Sequence, residues 1–473
     1  MKLNKNNYFK AIIFALIFII PFYEYYLKGN LLNLFSNRED VCDIIYYNDI
    51  FSNGSLSLII ILFLSILIFS LRNYFWSLLK KYSAKDILIL LLIFQIFFQL
   101  SVILLVHTVP ISDSIYYLDH GKRLYETGKY ISIFGNYTAF WPVGLPSIIA
   151  FFYYLGFEAI FMVKLFNIFC SSLLLIILYN IFSKILNQNQ LKLFMILFTL
   201  FPNNLFASQV ILTELPFTLL TWCAIYYFVK NIGENKRINL FFIGALVGLS
   251  TFVRANGIIL LFTLIIVLFI KERSFNQIIY LVLGFTIVLL PWVYRNYLHF
   301  NSFILSSTNG GYIFLMGNNQ YSNGKVNFNF DYNLSNPDEP AEESKAYKKG
   351  FEFIQNNFGN FLILTIKKLF YSYWRGDSSI TWSFKKTENF INPQIKSFIF
   401  FITNFYYYLI LLFSFLALLK YKRLSNIMEY NLIFMILMII NLIMIAVYVG
   451  SERYFIHLLP IYFYLAGKYI NEY

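Results

Sequence analysis

A few charged side chains stand at the edges of long apolar runs, where a charge is normally kept only for pairing or for function. They are Asp113, Glu214, Arg254, Arg295, Glu452 and Arg453. A carboxylate in such a position can take or give a proton. A guanidinium can bind phosphate oxygens through two parallel hydrogen bonds. These residues are therefore candidates for acid–base chemistry and for phosphate binding.

Asp113 is the candidate for acid–base chemistry. It follows an apolar run and belongs to the polar stretch 109–147, which is rich in Tyr, Phe and Trp and closes on the turn from Trp141 to Pro146. A long stretch of this kind is usually functional or disordered, and its aromatic content argues against disorder. Alternatively, Asp113 caps the helix predicted at residues 115–125, as Ser and Asp commonly do. The residues alone leave both interpretations open.

The three arginines also have two interpretations. Arg254, Arg295 and Arg453 can bind a phosphate group, or they can reach lipid headgroups from the ends of helices. Glu214 is expected either to position a substrate or to pair with one of these arginines.

Other polar residues are expected to have structural roles. Asp119 is interpreted as a solvated or salt-bridged residue, and His120 as a surface histidine. Lys367 and Lys368 stand among apolar residues, which suits contacts with lipid headgroups. No set of His, Cys and carboxylate residues has the spacing of a metal site.

The composition is that of a membrane protein. The 473 residues are 59% hydrophobic and 13% charged, with a mean hydropathy of +0.63, and apolar runs of membrane-spanning length recur throughout. The net charge of +13 does not indicate a nucleic-acid partner, because the basic residues stand in short loops that orient helices towards the cytoplasm. Three cysteines are too few for a disulfide framework.

The apolar runs predict an all-α, multi-pass transmembrane bundle of about twelve spans. These lie near residues 11–27, 56–71, 86–108, 161–182, 193–211, 212–229, 240–253, 256–270, 277–297, 398–419, 431–449 and 454–470. Basic loops such as 184–192 place both termini at the cytoplasmic face. Because no small-residue cleavage site follows residues 11–27, we expect an uncleaved first span.

This pattern divides the chain into four parts: two N-terminal spans in 1–85, a transmembrane core in 86–297 with the first outer loop at 109–147, a large outer loop in 298–397, and the C-terminal spans in 398–473.

Several outer segments are predicted to lie outside the spans. Residues 28–55 are predicted to be a loop, and 145–156 a short interfacial or dipping helix. The large outer loop should carry an amphipathic helix near 342–358 and an interfacial helix near 361–374. On this topology, the charged residues at the span edges fall on the outer side, which indicates a single extracytoplasmic site.

Short motifs spread along the chain resemble those of a known family. They are Ser112-Asp113-Ser114, Tyr116 with Tyr117, Gly128-Lys129-Tyr130, Trp141-Pro142-Val143-Gly144-Leu145-Pro146, Pro202, Thr213-Glu214, Arg254-Ala255-Asn256-Gly257, Pro291-Trp292, Arg295-Asn296-Tyr297, Asn309-Gly310-Gly311, Gly317-Asn318-Asn319, Arg453-Tyr454 and Pro460. In order and spacing they resemble the polytopic GT-C glycosyltransferases, in particular the bacterial branch akin to protein O-mannosyltransferases and the lipid A aminoarabinose transferase. The resemblance covers most of the chain after the first two predicted spans.

The resemblance implies an enzyme of the plasma membrane that transfers a sugar from a polyprenyl phosphate or diphosphate carrier to an acceptor on the extracytoplasmic face. It makes Asp113 the general base for the acceptor hydroxyl. It makes Arg254, Arg295 and Arg453 ligands of the carrier phosphate.

Glu214, Tyr117 and Trp141 then become contacts of the acceptor or of the sugar, although such aromatic residues also occur in interfacial belts. Some members of the family use a divalent cation, so the resemblance also admits Mg²⁺ or Mn²⁺ beside the carboxylate. The acceptor can be a protein, a lipid or a surface glycan.

Two other classes share the polytopic, basic character. A lipid-linked glycan polymerase or ligase would also carry large outer loops and arginines, but it would not need the loop carboxylate Asp113. A lipid-sugar flippase or transporter should show internal repeats and polar residues near the bilayer midplane. No convincing repeat is visible in the sequence.

Overall fold

The computed structural model describes residues 19–31, 41–231, 237–272, 275–420 and 429–471. These residues are largely helical and form no named β-strand; only isolated bridges occur, for example between Thr108 and Thr387. Most of the predicted first span at 11–27 lies outside the described residues.

The α-helices are numbered in chain order. They are α1 Val41–Ser52, α2 Gly54–Ser70, α3 Arg72–Lys81, α4 Ala84–Leu105, α5 Asp113–Thr127, α6 Gly144–Tyr154, α7 Ala159–Phe182, α8 Gln188–Leu200, α9 Pro202–Phe206, α10 Glu214–Asn231, α11 Arg237–Val253, α12 Ile258–Lys271, α13 Phe275–Phe300, α14 Gly310–Gly317, α15 Glu339–Asn356, α16 Phe358–Tyr373, α17 Ser378–Phe384, α18 Pro393–Lys420, α19 Glu429–Val447 and α20 Leu459–Asn471. Short 3₁₀ helices occur at Ala207–Gln209, Ala255–Gly257 and Glu452–Leu458, and a π-helical segment at Tyr23–Leu27.

The helices confirm the predicted all-α, multi-pass architecture. Among the described residues, α4, α7, α13, α18 and α19 contain segments long and apolar enough to cross a membrane. Two bent helix pairs raise the number of candidate spans to seven. The remaining apolar helices are shorter, so the number of twelve spans stays a prediction.

Close backbone contact joins α11 to α13. A Cβ atom on Gly244 would lie 1.9 Å from the Leu281 carbonyl oxygen, and one on Gly284 would lie 1.8 Å from that of Phe241. Only glycine permits two helices to approach so closely, a packing mode common between membrane helices. The contact fixes α11, and with it the break that follows at Arg254.

The candidate site residues stand where helices begin or break. Pro202 opens α9 after a bend of 54° in the apolar segment, and Glu214 is the first residue of α10. Arg254 lies between α11 and a 3₁₀ turn, and Arg453 lies in the 3₁₀ helix before α20. Backbone groups at helix ends lack helical partners, so polar side chains gather there.

The prediction of a loop at residues 28–55 is wrong over its second half, which forms α1. Tyr46, Tyr47, Ile50 and Phe51 are buried on one face of this helix. Their spacing follows the helical period, but the acidic residues Glu39, Asp40, Asp43 and Asp49 before and among them hid the pattern. The predicted helices in both outer loops are present as α5, α6, α15 and α16.

Candidate functional site

An ion-pair chain joins four residues that are distant in sequence. Arg453 donates from Nη1 to Asp113 Oδ2 at 2.6 Å and from Nε to Glu214 Oε1 at 2.5 Å. Arg254 Nη1 lies 2.8 Å from the same Glu214 oxygen. Two guanidinium groups thus share one carboxylate oxygen, and two positive charges balance two negative ones.

The backbone before Asp113 turns sharply. Ser112 has φ of 47°, a region that is uncommon for residues other than glycine and often marks functional sites. Ser112 precedes α5 without a side-chain cap hydrogen bond, and Asp113 is the first helical residue. The Asp113 carboxylate accepts from Arg453, whereas the capping interpretation predicts a hydrogen bond to the helix backbone.

Three residues of the ion-pair chain line a large cavity of about 920 Å³. Asp113, Arg254 and Arg453 face it, together with the cationic residues Lys325, Arg375 and Lys385. Glu214 faces a smaller adjoining cavity of about 50 Å³, which Arg453 also lines. The positively charged residues outnumber the acidic ones in the large cavity, which suits an anionic ligand.

Arg295 does not belong to the ion-pair chain. Its Nη1 donates to the Thr138 carbonyl at 2.8 Å and its Nη2 to the Tyr130 carbonyl at 2.6 Å. It also lies over the Trp292 ring at 4.9 Å. The structure thus places Arg295 where it holds the first outer loop against α13, and its predicted role as a phosphate ligand stays a prediction.

Arg375 is a cavity residue that the sequence did not single out. It donates to the Tyr47 hydroxyl at 2.6 Å and to Glu452 Oε1 at 2.8 Å, and it lies 3.5 Å from Asp377. A charge in a polar loop is unremarkable in sequence. Its position directly after the apolar helix α16, two residues before an aspartate, was the available signal.

The predicted aromatic contacts line the large cavity. Tyr117 packs edge-on against Trp141 at 5.5 Å between ring centroids, and Tyr116 stacks on Trp141 at 5.8 Å. His120 lies nearby but is only 3% exposed, so its interpretation as a surface histidine is wrong. Its Nδ1 lies 2.6 Å from the Tyr116 carbonyl, and burial lowers its pKa.

Two other predicted structural roles have different outcomes. Asp119 pairs with Arg123 at 2.6 Å, as the salt-bridged interpretation expected. The expected headgroup contact is wrong for Lys368, which is fully buried. Its amino group donates to Asn318 Oδ1 at 2.8 Å and to the Val447 carbonyl at 3.2 Å, so it caps the end of α19. Lys367 beside it is exposed.

The large outer loop (residues 298–397) is tied to the first outer loop by a buried carboxylate. Glu339 accepts from Thr138 Oγ1 at 2.5 Å, from the Ala139 amide at 2.8 Å and from Thr308 Oγ1 at 2.8 Å. Burial raises the pKa of Glu339. One turn later on α15, burial also raises the pKa of Glu343 to about 7.

The described side chains near Asp113 do not suit the binding of a divalent cation. Among the described residues, no three His, Cys, Asp or Glu side chains are arranged to hold a metal ion. Moreover, Arg453 bridges Asp113 and Glu214. Its positive charge stands where a cation would have to bind both carboxylates.

Part of the chain is similar to a known protein family. Residues 141–294 match the family described as dolichyl-phosphate-mannose-protein mannosyltransferase. No curated protein matches the chain. The match covers less than half of the chain, and it is to a family of the kind that the sequence resembles.

Two crystal structures align with this chain at low identity. One is an Archaeoglobus fulgidus oligosaccharyltransferase tethered to an acceptor peptide with the NVT sequon, at 13% identity and a TM-score of 0.47. The match covers 80% of this chain and 49% of the other, so this chain spans about half the length of that enzyme. The other is ArnT from Cupriavidus metallidurans bound to undecaprenyl phosphate, at 12% identity, a TM-score of 0.39, and coverage of 81% and 75%.

Proposed function

We propose that this enzyme transfers a sugar from a polyprenyl-phosphate carrier to an acceptor hydroxyl at the extracytoplasmic face of the plasma membrane. The observation that carries the proposal is the ion-pair chain of Asp113, Arg453, Glu214 and Arg254 beside a large cavity. Glycosyl transfer from a phosphate needs a base for the acceptor hydroxyl and positive charge for the leaving phosphate. A carboxylate and two guanidinium groups in one place supply both.

In the proposed reaction the acceptor oxygen bonds to the anomeric carbon of the donor sugar. The bond between that carbon and the phosphate oxygen breaks, and its electrons leave with the carrier phosphate. Asp113 takes the proton of the acceptor hydroxyl. Arg453 holds Asp113 Oδ2, whereas Oδ1 accepts only a long hydrogen bond from Ser112 Oγ at 3.4 Å, so Oδ1 is the oxygen proposed to take the proton.

The leaving phosphate is bound by Arg254 and Arg453. Both use Nη1, and Arg453 also uses Nε, for the contacts with the carboxylates and Thr213. Within the described residues, Nη2 of each side chain forms no hydrogen bond and can donate to phosphate oxygens. Because both groups contact one Glu214 oxygen, we infer that their Nη2 groups bind the same phosphate.

The orientation follows from the distribution of basic residues. Lys184, Lys192 and Lys271 stand on the side opposite to the ion-pair chain in the predicted topology. Basic loops favour the cytoplasmic side, so the cavity opens to the exterior. The carrier's lipid chain then remains in the bilayer while its phosphate reaches the cavity.

The experiment replaces Asp113 with Asn in the cells that make the protein. We expect polyprenyl-linked sugar to accumulate and one surface glycan, glycolipid or glycoprotein to disappear, at unchanged protein level. Asp119→Asn is the matched control, because Asp119 lies on the same helix but pairs with Arg123. It should leave the surface profile as it is. A surface profile and donor level unaffected by Asp113→Asn would overturn the proposal.

A further inference from the structure

A row of aromatic side chains lines the large cavity. It starts at Tyr116, which stacks on Trp141 with 5.8 Å between centroids. Trp141 meets Phe140 at 5.3 Å, and Phe140 meets Tyr312 at 5.5 Å. Tyr312 in turn meets Phe330 at 5.1 Å. The reaction proposed above uses none of these rings, although the sequence made Trp141 a candidate contact of the acceptor or the sugar.

Three separate segments build this aromatic row. Tyr116, Phe140 and Trp141 come from the first outer loop, Tyr312 from α14, and Phe330 from the segment that precedes α15. All of these rings are only partly buried, so each keeps part of its surface in the cavity. Rings of an interfacial belt would face lipid instead.

Polar groups stand among the rings. Tyr332 lies 4.9 Å from Tyr312, and the phenolic hydroxyls of both form no hydrogen bond with any described residue. The amide side chains of Asn256 and Asn309 line the same cavity. The wall therefore offers flat apolar faces together with hydrogen-bonding groups.

The row reaches the reacting groups. Tyr116 lies one helical turn after Asp113 on α5. Burial, together with the nearby Tyr116 and Asp113, raises the pKa of Tyr312 to about 12. A ligand lying on the rings would consequently present one end to Asp113.

We propose that the aromatic row binds a carbohydrate acceptor of at least two sugar units, so that the enzyme glycosylates a glycan chain; this inference rests on the function proposed above. A pyranose ring has an apolar face of C–H groups, which packs on the electron-rich face of an aromatic ring. Its rim of hydroxyls matches the free tyrosine hydroxyls and amides. A lipid chain would leave those polar groups without partners.

The size of the wall agrees with an oligosaccharide. Five rings follow one another from Tyr116 to Phe330, with 5.1–5.8 Å between neighbouring centroids, so the wall offers more than one ring on which a sugar unit can pack. The cavity of about 920 Å³ is near the upper end of the range of about 300–1,000 Å³ for pockets that hold small ligands. It accommodates several sugar units beside the carrier phosphate.

The test measures binding in the absence of donor. Purified full-length protein in nanodiscs is applied to an array of mono- to hexasaccharides. We expect oligosaccharides of at least one composition to bind about tenfold more tightly than their monosaccharides. Tyr312→Ala and Phe330→Ala should each weaken that binding about tenfold, and Tyr312→Phe less, since it keeps the ring.

Phe390→Ala is the matched control, because Phe390 is 85% exposed and does not line the cavity. Folding of every variant is checked by its thermal unfolding midpoint. The inference is overturned when no glycan binds, when monosaccharides bind as tightly as oligosaccharides, or when Tyr312→Ala and Phe330→Ala bind like wild type. Binding to peptides alone would also overturn it.

The binding experiment and the transfer experiment test the two proposals separately, so either proposal can fail without the other. Oligosaccharide binding without any effect of Asp113→Asn on surface products would remove the proposed reaction and keep the glycan site. Loss of a surface product in Asp113→Asn, combined with an array that binds nothing, would keep the reaction and remove the glycan acceptor.

Discussion

Arg453 Nη1 lies 2.6 Å from Asp113 Oδ2, although the two residues are 340 positions apart in the chain. The contact brings the 3₁₀ helix before the last helix onto the first turn of α5. Glu214 joins them by accepting from Arg453 Nε at 2.5 Å. The site is consequently assembled from segments that meet only in the folded bundle.

Because Arg453 bridges two carboxylates, we expect that lysine cannot replace this arginine. A guanidinium donates from Nε and Nη1 in fixed directions, whereas an ammonium is a single point of charge. Arg453→Lys therefore loses one of the two carboxylate contacts. We expect sugar transfer to fall by about a hundredfold, measured as product formed in isolated membranes.

Arg123→Lys is the control for this substitution, because Arg123 pairs with Asp119 on the same helix and does not line the large cavity. It should transfer sugar at the wild-type rate. Wild-type transfer by Arg453→Lys would show that charge alone is sufficient and that the bridge has no role.

The helices could be predicted from sequence where a segment carries its own signal. The runs that became α4, α7 and α13 are apolar over a membrane-spanning length, and this property depends on no other part of the chain. The charges at Asp113, Glu214 and Arg453 were visible because they interrupt or border such runs. Their meeting in one place followed from topology.

Other features depend on contacts that sequence does not contain. The burial of Lys368 arises from Asn318 and the end of α19, which lie far away in the chain. The inward direction of Arg295 is set by two carbonyl groups of the first outer loop. A side chain's charge is readable from sequence, but the partner that neutralises or solvates it is a property of the fold.

Substitution of Arg295 can distinguish a structural role, in which it holds the first outer loop, from a role in binding the carrier phosphate. Arg295→Lys would lose at least one of the contacts to the Thr138 and Tyr130 carbonyls. We expect the free energy of unfolding to fall by about 1–3 kcal/mol. The KM for the lipid-linked donor should not change. Thermal unfolding and donor titration measure the two effects separately. A raised donor KM at unchanged stability would instead support the phosphate role.

Gly450 is expected to be essential for the position of Arg453. A Cβ at this residue would lie 2.5 Å from the Gly324 carbonyl oxygen and 2.6 Å from that of Lys368. Gly450→Ala must therefore displace the turn that leads to Arg453, and we expect transfer to fall at least about tenfold.

The control for this change is Gly359→Ala. Gly359 lies in the first turn of α16, and a Cβ there would meet no atom within 4 Å. Alanine also has the higher helix propensity, so stability should rise slightly and transfer should not change. Equal activity of the two alanine variants would contradict the proposed positioning of Arg453.

The buried carboxyl group of Glu343 leads us to expect that the packing of the large outer loop (residues 298–397) depends on pH. Burial raises its pKa from 4.5 to about 7, while the Gly311 amide donates to its carboxylate at 3.3 Å. Glu339, one turn earlier, adds to the increase. Between pH 4.5 and about 7 the folded protein holds a proton that the unfolded chain has released, so stability falls as the pH rises through this range.

Glu343→Gln removes this titration and keeps an oxygen that can accept from Gly311. We expect the thermal midpoint of the wild type to fall by a few degrees more than that of the variant between pH 5 and pH 8. Hydrogen exchange of α14 should follow the same trend, because Glu343 contacts the start of that helix. Glu352→Gln, exposed on the same helix, should behave as wild type. Parallel pH profiles for wild type and Glu343→Gln would mean that this carboxyl group remains charged in the folded protein and that its burial has no part in loop docking.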